Sequence, residues 1–130
     1  SLNISDDYIL MNGDLLFEAD LKDMLHFHKR NDSYMTMGVT NADDRSHYGA
    51  VSVRKSKVIG LHEKTESGKG LVNSGIYVIS PQVDFSNHNN WLDFLVETVE
   101  MKKMYAYSKI CNWIDIGSPE SLESAREFWK

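Results

Sequence analysis

Cysteine is nearly absent from this chain of 130 residues: the single Cys111 can close no internal disulfide, so nothing marks a disulfide-stapled secreted scaffold. Long apolar stretches are missing too. No run approaches the ~20 residues that a membrane-spanning helix needs, and no secretory leader is recognisable, which makes the cytoplasm the expected compartment. Positive charge is in short supply, with 14 Lys and Arg against 19 Asp and Glu and a formal charge of −5. That balance argues against a nucleic-acid or anionic-membrane surface driven by counterion release. A phosphate-bearing ligand would need local positive charge or a metal. Repeats and low-complexity tracts are absent, and the histidines lack ligand spacing, since His26 and His28 point different ways on one helix and His47, His62 and His88 are unrelated.

What is present is an ordinary globular composition, 42% apolar and 25% charged, with room for one domain and no linker to divide it. A strand is expected at 8–11. A helix follows at 20–31, where Leu21, Met24, Leu25 and His28 recur at i, i+3, i+4, i+7 and Asp20 can cap the first turn. Further strands are expected at 34–39 and 71–79, with a hairpin at 50–53 and 58–61 whose turn lacks the usual Asn-Gly or Asp-Gly signal. A second helix fits 91–101 with Leu92, Leu95, Val96 and Val99 on one face, strands fit 104–107 and 113–116, and Ser118-Pro119 opens a last helix. Strands alternating with helices predict an α/β layer fold with the hairpin as an addition. Because the apolar segment 8–11 suits an interior strand and stands so near Ser1, the chain is expected to be a piece of a longer domain.

Two acids, Asp14 and Asp115, each close an apolar strand-like run, Tyr8-Ile9-Leu10-Met11-Asn12-Gly13-Asp14 and Trp113-Ile114-Asp115-Ile116-Gly117. Strand ends are where an open α/β sheet receives its ligands. Were the two carboxylates to meet at about 4 Å, they would repel by roughly 4 kcal/mol at an effective dielectric of 20, and a divalent cation would remove that conflict. Two aspartates with a phosphorylated ligand suit Mg²⁺ better than zinc or calcium. The plainer readings are that Asn-Gly-Asp is turn chemistry and that Asp115 lies on an edge strand facing water. Glu63-Lys64 reads either as a surface ion pair or as a carboxylate for sugar hydroxyls beside a cation for phosphate. Asn73-Ser74-Gly75 puts hydrogen-bonding groups inside an apolar run, as a strand lining a polar pocket would. Cys111 reads as a packed thiol, and Tyr105, Tyr107, Trp113 and Trp129 as core or half-buried aromatics.

Taken in order, Met11-Asn12-Gly13-Asp14, Tyr48-Gly49, Glu63-Lys64, Val72-Asn73-Ser74-Gly75-Ile76-Tyr77 and Trp113-Ile114-Asp115-Ile116-Gly117-Ser118-Pro119-Glu120 resemble the sugar-1-phosphate nucleotidyltransferase family, the nucleoside-diphosphate-sugar pyrophosphorylases. The resemblance implies a Rossmann-like α/β/α three-layer fold, here incomplete. It also implies transfer of a nucleotidyl group from a nucleoside triphosphate to a sugar 1-phosphate, with release of pyrophosphate. Asp14 and Asp115 match the family's catalytic, Mg²⁺-binding aspartates. Gly49 matches the close backbone approach to the sugar, Glu63 and Asn73 the groups bonding its hydroxyls, and Lys64 the group on its phosphate. Thr65 replaces the proline that often follows Glu-Lys, which leaves the Glu-Lys chemistry in place.

The family's glycine-rich loop with its Arg, and its Lys-Pro segment, do not occur here, because Gly68-Lys69-Gly70 is too short and leads into no helix. The chain therefore reads as the C-terminal, sugar-phosphate and metal-binding part of a nucleotidyltransferase domain, with little transferase activity alone. Uncovered sheet surface would favour self-association. Family members of this look point to surface-polysaccharide synthesis and to a hexose or heptose 1-phosphate with a guanylyl donor. The competing readings are a non-catalytic sugar-phosphate-binding or regulatory module of the same fold, and a metal-dependent phosphatase, which lacks an Asp-x-Asp nucleophile here.

Overall fold

The computed structural model describes residues 6–43, 45, 48–62, 68–83, 90–115 and 126, with the Asp115 side chain outside that description. Ten elements follow in order: β1 (Tyr8–Met11), β2 (Leu15–Glu18), α1 (Leu21–Arg30), β3 (Met35–Ala42), β4 (Ala50–Arg54), β5 (Lys57–His62), β6 (Gly70–Ile79), α2 (Trp91–Glu100), β7 (Met104–Tyr107) and β8 (Cys111–Asp115). Six strands form one sheet in the order β1-β6-β3-β7-β5-β4, and β4 returns to pair with β6 at Ala50 and Val72. Among the described residues only β3 and β7 run parallel within it. The hairpin β4–β5 is thus no appendage, since it bridges β6 to β7 and curls the sheet. A separate antiparallel ribbon joins β2, which the sequence pattern did not predict, to β8.

Strand alternation sorts the core onto two faces. Met35, Met37, Val39, Tyr77 and Ile79 pack with Phe94 and Leu95 of α2, whereas Ile76 and Val78 pack with Met24 of α1. Helix, sheet and helix make the expected α/β/α layers. The α1 N-cap is Asp20, whose side chain accepts from the Asp23 backbone N–H at 3.1 Å, and its C-cap is Asn31. Tyr107 donates to Asp23 at 2.6 Å and ties α1 to β7, a bond that holds the Asp23 carboxyl below its ordinary range.

Of four expectations, the sheet edge left at β1 and the hairpin are borne out, whereas the face of α2 and the packing of Cys111 are corrected. The apolar strand β1, expected to be interior in a longer domain and uncovered in this piece, lies at the sheet edge, paired with β6 alone among the described residues, and leaves Leu10 and Met11 each 42% exposed. On α2 the buried face is Phe94, Leu95 and Thr98, while Leu92 and Val96 are exposed. Two aromatics decide the helix's rotation: Trp91 and Phe94 stack at 5.5 Å, and Thr98 can go inside because its hydroxyl donates to the Phe94 carbonyl at 2.9 Å. Cys111 is exposed rather than packed, because β8 belongs to the outer ribbon and Cys111 sits opposite the exposed Glu18. The hairpin turn forms without Asn-Gly, as Lys55 and Ser56 themselves adopt φ of 51° and 64°. Tyr105 and Trp113 are half-buried and Tyr107 buried, as expected, whereas the helix opening at Ser118 and Trp129 lie outside the described residues.

His28, which the sequence marked only as one position of a helical stripe, is 1% exposed. Its Nε2 lies 2.8 Å from Ser80 Oγ, and that hydroxyl donates its one proton to the Ser33 carbonyl, so Nε2–H must be the donor to Ser80. Nδ1 then accepts from Thr36 Oγ1 at 2.8 Å or Ser33 Oγ at 3.1 Å. The set is built for a neutral ring. Burial pushes the imidazole below its ordinary range, against the pull of Asp7 at 3.7 Å, and Lys29 adds to the downward push. The unfolded chain takes up a proton below about pH 6.5 while the folded chain resists it, so stability is full above that pH and falls below it, at most by about 1.4 kcal/mol per pH unit. Thermal melts are expected to be level above pH 7 and to drop between pH 6.5 and 5.5, with the drop reduced in His28→Gln; identical slopes for both proteins would contradict this.

Candidate functional site

The polar segment of β6 is where the site is built. Met37 pairs with Tyr77 and Val39 with Asn73, so Ser74, Gly75 and Ile76 stand opposite the one residue Gly38. The strand must bulge, and Gly75 takes φ +83° to let it. Ser74 turns over Gly38 and donates to its carbonyl at 2.7 Å. The displaced carbonyls then collect partners from other strands: Gly75 O accepts from the Asn12 backbone at 3.0 Å, and Ser74 O accepts from Trp113 Nε1 at 2.8 Å.

These two bonds bring the acid-bearing ends together. Asn12 follows the end of β1, Gly13 and Asp14 turn, and Leu15 starts β2 directly opposite Asp115 of β8. Opposed residues in such a ladder have Cα atoms about 4.5–5.5 Å apart. Asp14, one residue before Leu15, is exposed. The backbones of the two sequence-predicted acids are therefore neighbours, despite their separation along the chain. No group of three His, Cys, Asp or Glu side chains in metal-binding reach occurs among the described residues. An exposed Asp14 with a second acid position beside it in the backbone suits Mg²⁺, which accepts few carboxylates and completes its shell with water and phosphate oxygens, better than a closed zinc cage.

On the other side of the bulge lies a cleft of about 350 Å³, lined by Gly49, Ala50, Leu61, His62, Asn73, Leu92 and Leu95. Its size is that of a small-molecule site. Two of the four sequence-predicted sugar residues, Gly49 and Asn73, share it and are bonded to each other, with the Asn73 N–H donating to the Gly49 carbonyl at 2.9 Å. Gly49 has room around it, the nearest atom to an added Cβ being the His62 carbonyl oxygen at 3.8 Å. Glu63 and Lys64 follow His62 directly in sequence but lie outside the described residues.

Sequence reasoning missed the aromatic supports. Trp113 meets Tyr48 edge-on at 4.9 Å, so one side chain braces both the Gly49 segment and the Ser74 carbonyl. Tyr77 receives Asn73 Nδ2 at 2.6 Å. The available signal was adjacency, since each aromatic stands within four residues of a predicted site residue.

A family model described as nucleotidyl transferase matches residues 2–130. The chain belongs to the nucleotidyl transferase family. Among curated relatives, D-glycero-alpha-D-manno-heptose 1-phosphate guanylyltransferase of Aneurinibacillus thermoaerophilus is 28% identical over 94% of this chain and 55% of its own length. Mannose-1-phosphate guanyltransferase of Pichia angusta is 31% identical over 88% of this chain and 34% of its own length. The crystal structure of HddC from Yersinia pseudotuberculosis, a protein also solved complexed with GMP-PN, superposes with a TM-score of 0.78 at 30% identity, covering 97% of this chain and 56% of that one. This nucleotidyl transferase chain thus spans about half, or less, of the length of the relatives it matches.

The bulge gives a direct test. A Cβ on Gly75 would sit 2.5 Å from Asn12 Nδ2 and 3.1 Å from Leu15 Cδ1 at a φ that side chains rarely adopt, whereas one on Gly13 would meet nothing within 4 Å. Gly75→Ala is expected to lose about 1–3 kcal/mol in urea unfolding, and Gly13→Ala to stay within about 0.5 kcal/mol of the wild type. Equal stability of the two variants would contradict the assignment.

Proposed function

We propose that this chain carries the acceptor-sugar side of an enzyme that transfers a nucleotidyl group from a nucleoside triphosphate to a sugar 1-phosphate. The observation that carries the reading is the pairing of Leu15 with Asp115, which sets the two family-matched acid positions side by side next to a cleft lined by Gly49 and Asn73. An oxygen of the sugar phosphate attacks the α-phosphorus, the bond from that phosphorus to the β-phosphate oxygen breaks, and pyrophosphate leaves. Asp14 and Asp115 would hold Mg²⁺, which when bound offsets the charge on the phosphate oxygens.

The rest falls to the chain's own groups. Asn73 and the Gly49 backbone orient the sugar against the apolar wall of Leu61, Leu92 and Leu95. Glu63 accepts from sugar hydroxyls and Lys64 meets the sugar phosphate as a point charge. Holding the attacking oxygen in line supplies much of the rate. The relatives named for heptose and mannose 1-phosphates, and the GMP-PN complex of HddC, favour a heptose or hexose 1-phosphate and a guanylyl donor. Surface-polysaccharide synthesis in the cytoplasm fits such a product, and among the described residues no helix is long and apolar enough to cross a membrane. The half-exposed Leu10 and Met11 on edge strand β1 support self-association.

Since no glycine-rich phosphate loop occurs in these residues, binding is the sharper assay than turnover. Calorimetry with mannose 1-phosphate and Mg²⁺ together is expected to show binding, with the Mg²⁺ affinity lowered about tenfold or more in Asp14→Asn and in Asp115→Asn, a loss of at least about 1.4 kcal/mol. Pyrophosphate release by the chain alone is expected to be slight. Wild-type Mg²⁺ affinity in both variants would overturn the metal assignment.

A further inference from the structure

Asn73 owes its orientation to a residue the cleft does not expose. Its Oδ1 accepts from the Gly75 backbone N–H at 2.8 Å, and its Nδ2 donates to the Tyr77 hydroxyl at 2.6 Å. A backbone N–H can only donate, so the oxygen of the carboxamide must face Gly75 and the nitrogen must face Tyr77. The Tyr77 oxygen also lies 3.4 Å from Trp91 Nε1, another group that can only donate. The phenol oxygen therefore accepts from both neighbours and is held between β6 and the first residue of α2. Burial pushes the Tyr77 phenol above its ordinary range, so it stays neutral. Tyr77 is 3% exposed and is not among the residues lining the cleft, whereas Asn73 is half-buried and lines it.

A carboxamide has two N–H groups and two oxygen lone pairs. With one of each used internally, Asn73 keeps one donor and one acceptor, the pair that a sugar hydroxyl, itself donor and acceptor, can satisfy. We infer that Tyr77, anchored by Trp91, is a positioning residue that holds the Asn73 carboxamide in the single orientation able to take an acceptor-sugar hydroxyl. The inference rests on the acceptor-sugar reading above. Without the phenol, the amide is tethered at Gly75 alone and its nitrogen swings free, so part of the binding energy is spent on ordering it. The same helix supplies Leu92 and Leu95 to the cleft wall, so the docking of α2 and the aim of Asn73 are set together.

A double-mutant cycle in the protein tests this, with mannose 1-phosphate as the probe in the presence of Mg²⁺ and affinity read by calorimetry. Asn73→Ala is expected to weaken binding about tenfold, and Tyr77→Phe about five- to tenfold, the effect of losing one productive hydrogen bond. In the Asn73→Ala background, Tyr77→Phe is expected to change the affinity by less than about twofold. Trp91→Phe, which keeps a ring against Phe94 but removes the N–H, is expected to weaken binding less than Tyr77→Phe and also to lose its effect in that background. The side-chain amide protons of Asn73 give a readout without ligand: their exchange with solvent is expected to speed up in Tyr77→Phe while the melting transition stays cooperative. If Asn73→Ala weakens binding and Tyr77→Phe does not, the positioning role is overturned while the acceptor-sugar reading stands. If Tyr77→Phe weakens binding equally in both backgrounds, Tyr77 acts independently of Asn73 and the inference fails. If the wild type does not bind the probe, or Asn73→Ala binds as the wild type does, the acceptor-sugar reading fails and the inference with it.

Discussion

Gly75 is held at φ +83° where β6 places three residues against the one residue Gly38, and the site's arrangement follows from that excess length. A regular strand would point its carbonyls only at its two sheet neighbours. The bulge frees the Ser74 carbonyl for Trp113, while the Gly75 carbonyl takes the Asn12 N–H just beyond the end of the β1 ladder. One local distortion thereby joins β1, β6 and the β2–β8 ribbon. The cost of the left-handed backbone is kept low by the missing side chain, which is why this position calls for glycine.

The bulge also separates two chemistries. Toward the β2–β8 ribbon stand acid positions suited to a cation and phosphate oxygens, and toward α2 stands a cleft with amide and backbone groups on one wall and leucines on another. A chain of formal charge −5 has little long-range attraction to offer an anionic ligand. On the proposed reading, phosphate is met locally, by a metal or by a lysine such as Lys64. Far from both lies the His28 set, a buried polar network that links α1, β3 and the end of β6 and works only with a neutral ring. It has histidine, serine and a nearby Asp7, yet both Ser80 and Asp7 approach the same nitrogen, Nε2, so it lacks the geometry of a nucleophilic triad.

Local periodicity made α1 legible, because Asp20 caps it and Met24 and His28 face inward as the spacing required. Local pattern failed where long-range packing decides. The face of α2 went to Phe94 and Thr98 over Leu92 and Val96, since aromatic area and a satisfied threonine hydroxyl were not counted in an apolar stripe. The composition of β1 read as that of an interior strand left without its neighbours, and the strand does stand at the sheet edge. The polarity of Asn73-Ser74-Gly75 suggested a strand lining a pocket, and of the three Asn73 lines the cleft, but the three-against-one register is a property of the pair β3 and β6, invisible in either alone. Asp14 and Asp115 were marked by the apolar runs they close and then matched by family order, and the proximity of their backbones comes from a ribbon whose first strand, β2, has no periodic signal in its four residues.

The two acid positions proposed to grip one divalent cation stand at the same end of the β2–β8 ribbon. Mn²⁺, a paramagnetic stand-in for Mg²⁺, should broaden the backbone amide signals of Gly13 to Leu15 and of Ile114 and Asp115 together at the same low concentration. Both stretches should recover when Asp14 is replaced by Asn. Broadening confined to one stretch, or unchanged in Asp14→Asn, would contradict a shared site.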